Sequence, residues 1–311
     1  MTFDAATTQE LLDVCAEVSA EFPVIAGGLI DKKMMPSDPA WPYACKALGY
    51  VRAKHPGDLT DVLEAFATVS MDFLRLQSRF MKTGNYALSE AGGLVESLYG
   101  DEEKMKGYYL DGLAMTYALW PNHARMIGFL CEDFAPLLAP GTELLEVGVG
   151  HGLMASLLFE IVPDLRYCGV DISPSSLEYA ADSLTTIGID PSRFRMVNAD
   201  AIGGDLSLLA SGDGFGGLVC CEVLEHVEVP DLLLANLARS LHPEGVAFMS
   251  TVANMEAEDH VYLFHDVDHI RTIMGDHGWT LVEDRPLVLP GADHWSPLPV
   301  NYSAIARPAR S

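Results

Sequence analysis

Residues 144–152 read Leu-Leu-Glu-Val-Gly-Val-Gly-His-Gly, the form E-x-G-x-G-x-G at the end of an apolar run. Glycines at a strand-to-helix turn let the backbone approach a ligand closely and let the helix pack on the strand. The spacing is near the dinucleotide fingerprint G-x-G-x-x-G. Counted from Gly148, its third glycine falls on Leu153. Counted from Gly150, it falls on Ala155, which that position tolerates. A nicotinamide dinucleotide and an NAD(P)-dependent oxidoreductase therefore stay open as alternatives. An acidic residue about 20 positions on is the usual ribose acceptor, and Asp171 stands there, in Cys-Gly-Val-Asp-Ile-Ser. Asp200, in Met-Val-Asn-Ala-Asp-Ala, is placed to take an adenine amino group. Glu222 follows another apolar run, in Cys-Glu-Val-Leu-Glu-His. Each alone reads as a solvated strand end or a helix cap; in this order they mark one binding edge.

These residues need a scaffold, and the hydrophobic rhythm supplies it. Strand patterns fall at 143–147, 166–170, 193–197, 217–221, 246–251, 279–289 and 300–306, with helical patterns at 152–162, 174–187, 230–241 and 267–277. Alternating strands and helices predict an α/β, doubly wound sheet with helices on both faces. The last two strands have no helix between them and should pair antiparallel. Before residue 140 the period is helical, at 8–21, 59–80, 101–118 and 121–138. The stretch 22–58 is broken by prolines and reads as loops with short helical pieces; Gly84-Asn85 reads as a turn and Tyr86-Ala-Leu as a short strand. The domain expectation is a helical part at 1–100, linking helices at 101–140 that cap a pocket, and a sheet domain at 141–311.

From residue 141 onward the sequence resembles the class I S-adenosylmethionine-dependent methyltransferases. LLEVGVGHG resembles their first motif, VDIS the second, NADA the third, GLVCCEVLEHV the fourth, and LHPEGVAFMST the loop and strand after it. The resemblance implies a seven-stranded Rossmann-like sheet with a reversed last strand. It also implies a cofactor, S-adenosylmethionine, and a place for each motif residue. Glu146, Gly148, Gly150 and Gly152 would line its methionine part. Asp171 would hold the ribose and Ile172 would pack on adenine. Asp200 and Ala201 would flank the adenine edge, and Glu222 would lie beside the sulfonium. Helix 59–80 with FMKTGNYALSEAG loosely resembles the winged-helix dimerisation domain of small-molecule methyltransferases, which implies a homodimer.

Ligands of an open α/β sheet sit outside the carboxyl ends of its strands. Three late loops leave those ends. After strand four come Glu222, Glu225 and His226. Residues 254–266, after strand five, carry Glu256, Glu258, Asp259, His260, His265 and Asp266. Residues 290–297, after strand six, carry Asp293, His294 and Trp295. Catalytic candidates are His226, His260 and His294. We expect His260 and His294 to face the sulfonium from separate loops, Asp259 to orient His260, and Trp295 to form an apolar wall. Ahead of the first strand, Tyr109, Tyr117, Trp120 and His123 are candidates to surround the acceptor. Three chemistries remain open. A histidine can be the base, carboxylates can hold a cationic acceptor, or two histidines and a carboxylate can bind a metal. Metal-dependent C-methyltransferases of α-keto acids are the corresponding alternative. His226-Val-Glu228 is too short a pattern to identify a metal site.

Composition narrows the partners. Lys+Arg number 19 against 44 Asp+Glu, a formal net charge of -25. Such a surface repels phosphate backbones and anionic lipid, which excludes nucleic acid and membrane as expected partners and favours a small-molecule substrate. Six cysteines without a C-x-x-C pair read as reduced thiols. No signal peptide or spanning segment is visible in the sequence, so the expected location is the cytoplasm. The function expected is methyl transfer to a small-molecule O or N acceptor in biosynthesis. A non-catalytic interaction module is the more remote alternative.

Overall fold

The computed structural model describes residues 5–29, 36–88 and 98–309. Seven strands form one sheet in the order β3-β2-β1-β4-β5-β7-β6. They are β1 (Glu143–Val147), β2 (Arg166–Asp171), β3 (Phe194–Asn198), β4 (Phe215–Cys221), β5 (Leu241–Ala253), β6 (Trp279–Val288) and β7 (Val300–Pro308). Strands β1 to β5 pair in parallel; β7 lies antiparallel to both β5 and β6. This is the expected α/β doubly wound sheet with its reversed last strand.

Both faces of the sheet are covered, which is why its strands read as almost continuous apolar runs. Side chains alternate across a strand, so consecutive residues enter different cores. Leu144 packs with the N-terminal helices, and Leu145 packs on the other face with Leu233, Leu237 and Phe264. Truncating either leucine to alanine would cost about 2–5 kcal/mol. Cys220 and Cys221 split across the two faces in the same way, and all six cysteines are free thiols.

Before β1 the chain is helical, but not only where expected. Trp41–Lys54 is a full helix inside the stretch read as loops. Pro42 falls in its first turn, where the missing N–H would have no partner anyway, so this proline starts a helix and does not break one. Thr60–Thr83 buries Val62, Phe66, Phe73 and Gln77. Leu110–Leu119 is preceded by a π-helical turn, Met105–Tyr109, and Pro121–Phe129 runs on into a second, Leu130–Phe134. No strand occurs before β1 among the described residues, and residues 81–88 carry none. The wing expected across 80–92 is therefore missing from its described part; residues 89–92 lie outside the described residues. The helices share one core with a sheet face: Ala44, Leu48 and Phe66 belong with Leu144, Leu153 and Phe248.

Two features aim the helices at the site. In this order β1 lies between β2 and β4, so the chain winds away from it in both directions. That switch point opens a crevice at the carboxyl ends of β1 and β4. The helix Thr60–Thr83 and the segment 108–123 roof that crevice.

Candidate active site

The crevice is a cavity of about 620 Å³, within the range of small-molecule sites. At one end lie Glu146, Gly148, Gly150, Asp171, Ile172, Asp200, Ala201 and Glu222; at the other lie Tyr99, Tyr109, His226, Asp259 and His260.

The first end is built by the β1 loop. Gly148 has φ +76°, and a Cβ there would stand 2.4 Å from Val223 Cγ2. Gly152 is also left-handed, at φ +80°, but it does not face the cavity. A Cβ on it would meet Ala180 Cβ at 3.1 Å and the Tyr50 hydroxyl at 3.2 Å. Its expected place among the cofactor-lining glycines is thus corrected: Gly152 lets the loop pack against the helix Pro174–Thr186 and Tyr50. The Asp171 carboxylate accepts from the Gly150 N–H at 3.3 Å and the Ser173 N–H at 2.8 Å. The same carboxylate also lines the cavity. Ile172 leaves 44% of its surface exposed at the cavity, as a flat apolar ligand face would require. Asp200 ties its own turn through the Ile202 N–H at 2.8 Å.

Two acids here are held protonated more readily than usual. Burial pushes Glu146 up to about 8 even though the Tyr167 hydroxyl donates to it at 2.7 Å. Glu222 also rises to about 8, through burial and then the neighbouring Glu225 carboxyl. Its backbone is left-handed, φ 51°, where a side chain costs about 1–2 kcal/mol. The Glu222 N–H is held by the Ser250 carbonyl and hydroxyl, each at 3.1 Å. Glu222 Oε1 is buried with no partner among the described residues.

The second end is stitched together from three segments. Asn254, left-handed at φ 55°, turns the chain back after β5 and donates to the His265 and Leu298 carbonyls at 2.7 and 3.1 Å. Gln77 of the helix Thr60–Thr83 donates to the Asn254 carbonyl at 3.0 Å and accepts from the Glu256 N–H at 2.9 Å. The Val261 and Tyr262 N–H groups donate to the Glu225 carbonyl, each at 2.9 Å. The loops after β4 and β5 are thus fixed to one another and to the helical roof.

Within this frame the Asp259 carboxylate lies 3.1 Å from His226 Nδ1 and accepts from the Tyr99 hydroxyl at 2.9 Å and the Tyr109 hydroxyl. Burial opposes charge on His226, but Asp259, Glu225 and Glu222 more than offset it and raise the imidazole to about 9. Asp259 is driven well below the usual carboxylate range: its burial would raise it, and His226 overrides that. Asp259 does not orient His260, as expected from their adjacency. The His260 Nδ1–H donates to the Met255 carbonyl at 2.7 Å. Burial and the charge on His226 lower His260 to about 4, so it is a neutral imidazole with an unshared pair on Nε2.

The third expected histidine is elsewhere. His294 is exposed and outside the cavity lining; the expected apolar wall, Trp295, is also outside it and packs half-buried against the core. The loop folds outward because the Leu289 N–H donates to the Pro299 carbonyl at 3.0 Å and the Trp295 N–H to Ala292 at 2.9 Å. Tyr117, Trp120 and His123 do line the cavity, with His151 beside them. His123 Nδ1 lies 2.8 Å from the Thr116 hydroxyl, whose own proton goes to the Leu113 carbonyl at 2.6 Å. His123 is therefore the donor. Sequence reading missed His151 and Tyr99. The first was visible inside the glycine motif; Tyr99 had no signal, since only the fold carries it to Asp259.

The strand order, the glycine loop at the switch point and the strand-end acids define a class I methyltransferase domain. Residues 145–247 match the family model described as "Methyltransferase domain". That match displaces the nicotinamide alternative. The ubiquinone biosynthesis O-methyltransferase of Paracidovorax citrulli (strain AAC00-1) is 30% identical over 121 residues, 39% of this chain and 47% of the relative. This chain thus spans about half the length of the curated relatives it matches. Two solved structures share the fold. Phosphoethanolamine N-methyltransferase 2 of Haemonchus contortus, in complex with S-adenosyl-L-methionine, has a TM-score of 0.53 at 14% identity, covering 72% of this chain and 61% of that one. The [4+2]-cyclase SpnF has a TM-score of 0.50 at 17% identity, covering 62% and 83%. No helix among the described residues is long and apolar enough to cross a membrane.

Proposed function

We propose that the chain is an S-adenosylmethionine-dependent methyltransferase that methylates an oxygen of a small molecule. One observation carries this reading. A single cavity joins the glycine and aspartate edge to the histidine cluster. The residues at the first end fit the cofactor: Gly148 allows close backbone approach, Asp171 suits a ribose diol, Ile172 offers an apolar face, and the unpartnered Glu222 Oε1 suits a cationic or N–H group. S-adenosylmethionine supplies an electrophilic methyl group on a sulfonium.

The chain's own residues do the rest by placement. Tyr117, Trp120 and His123 give the acceptor an aromatic wall. The cationic His226 favours an anionic oxygen beside it, and His260 Nε2 is a vacant position for the hydroxyl proton. An oxygen acceptor agrees with the matched relatives, which are named O-methyltransferases. The helical segment before β1 serves as the roof of this site, and a homodimer through its helices is the assembly we propose.

Calorimetry with S-adenosylhomocysteine against NADH, followed by transfer of labelled methyl groups into a panel of phenols and enols, tests the reading. We expect homocysteine-adduct binding alone and label in an ether product. No S-adenosylhomocysteine binding by folded protein would overturn it. Binding without transfer to any acceptor would retain the cofactor and reject the methyl-transfer step.

A further inference from the structure

The acceptor end holds a side-chain cluster that the reading above uses only in part. Glu225, His226 and His260 each offer one ligand atom, and these atoms lie within 4.8 Å of one another. We propose that Glu225, His226 and His260 bind one divalent transition-metal ion, of the zinc or ferrous class, in the wall of the cavity.

The ring nitrogens are already sorted for this. His226 Nδ1 is engaged by the Asp259 carboxylate at 3.1 Å, and His260 Nδ1 by the Met255 carbonyl at 2.7 Å. Metal-ligating histidines almost always give their other nitrogen to a carboxylate or a backbone carbonyl. Both rings therefore turn Nε2 to the ligand position, and the proton that His226 carries there leaves when the metal binds. Their centroids stand 5.0 Å apart with planes 88° to one another.

Glu225 supplies the second, independent observation. It is fully buried; Oε2 accepts from the Thr251 hydroxyl at 2.8 Å, while Oε1 is buried with no partner among the described residues. A buried acceptor left unpaired is destabilising, and a cation removes that cost. The carboxyl groups of Glu222, Glu225 and Asp259 all act on the His226 imidazole. The nearby Arg79 does not serve them, since it pairs with Glu256 at 2.9 Å. The frame is rigid as well, because the Glu225 carbonyl receives two N–H groups from the His260 loop.

The donor set selects the ion. Two imidazoles and one carboxylate suit zinc or ferrous iron, whereas magnesium and calcium prefer all-oxygen sites. Three protein ligands leave coordination positions open, and His226 and His260 both line the cavity. An acceptor oxygen bound there would lose its proton more easily, which takes over the proton-accepting role given above to His260. Only that consequence rests on the methyl-transfer reading; the ion site itself does not.

The full chain, stripped with chelator, is titrated with Zn²⁺ and with Mg²⁺ by calorimetry, and with Co²⁺ by visible absorption. We expect one tight zinc ion per chain and d–d bands with cobalt. Glu225→Gln and His260→Asn should each weaken zinc by more than about 100-fold, beyond the roughly 10–100-fold expected for Asp259→Asn, which removes only an outer partner. An unchanged circular dichroism spectrum and cooperative thermal unfolding show that each variant is folded. The proposal is overturned if the wild type binds no zinc, if magnesium binds as well as zinc, or if both ligand variants keep wild-type zinc affinity. The last result would place the ion elsewhere on the chain. Zinc binding as expected in a protein that transfers no methyl group would refute the proposed function and leave the metal site standing.

Discussion

Asp171 and Gly150 are joined at the edge of the crevice: the Gly150 N–H donates to Asp171 Oδ2 at 3.3 Å. The bond ties the end of β2 to the glycine loop after β1. One carboxylate therefore both shapes the loop and lines the cavity. Asp171→Ala should weaken S-adenosylhomocysteine by about 1.5–3 kcal/mol, the range for a lost charge-assisted hydrogen bond. Asp171→Asn, which keeps one acceptor oxygen, should fall between. Calorimetry on folded variants checks this, and unchanged affinity in the alanine variant removes Asp171 from the site.

This edge was legible because each part is local. A glycine turn and an acid at a strand end are written in consecutive residues, and the strand order then brings them together. The acceptor end was half legible for the opposite reason. His260 and His294 look alike in sequence, each in a loop after a strand and each beside an acid. Two backbone hydrogen bonds turn the second loop outward, and no local pattern encodes them. Glu225 stood in plain view beside His226, but its unpaired oxygen exists only in the packed state. Pro42 misled because a proline marks either a break or a first turn. His294→Ala should accordingly leave turnover within about twofold, well short of the roughly 10²–10⁴-fold loss for a catalytic base. A loss in that range, measured with labelled cofactor, would return His294 to the site.

Gly148→Ala tests the close approach in the loop. The new Cβ would stand 2.4 Å from Val223 Cγ2 at a left-handed φ of +76°. The backbone term alone is about 1–2 kcal/mol. We expect a lower melting temperature and at least tenfold weaker S-adenosylhomocysteine. Adding Val223→Ala should recover part of the loss, since it relieves the clash and leaves the backbone strain. Full recovery would mean that the strain is negligible; none would mean that the clash is.

His123 and His151 make stability depend on pH. Burial, and then the His151 charge, hold His123 down to about 3; burial holds His151 to about 4 against the opposing charge of Asp111. The unfolded chain protonates both near 6.5. Above that pH both are neutral in either state, and their full contribution is present. Below it the unfolded chain takes up protons that the folded chain refuses, so the contribution is lost as pH falls from about 6.5 toward 4. The slope is at most about 1.4 kcal/mol per pH unit for each histidine. Glu146 and Glu222, both raised to about 8, run the other way in this window. The informative quantity is thus a difference. Between pH 6.5 and 5, urea unfolding should show His123→Gln/His151→Gln gaining stability relative to the wild type. A constant gap would show that neither imidazole is held neutral by burial.

Gln77 is the one side chain of the helical roof that bonds the His260 loop through both amide atoms, to the Asn254 carbonyl and the Glu256 N–H. It is 1% exposed, so water cannot replace it. Gln77→Leu keeps the volume and leaves a buried carbonyl and a buried N–H unpaired, at about 1–3 kcal/mol for each. The loop can escape that cost by moving, and such a move displaces His260 without touching Asp171 or Gly148. The expected result is a lower melting temperature, a raised KM for the acceptor, and S-adenosylhomocysteine affinity within about twofold of wild type. Gln77→Glu, which keeps the acceptor for the Glu256 N–H but loses the donor, should be intermediate in KM. If both variants lose cofactor affinity as well, the two ends of the cavity are coupled through the roof. If neither changes KM, Gln77 does not position the loop, and the Tyr109–Asp259 and Arg79–Glu256 contacts of the roof suffice to hold it.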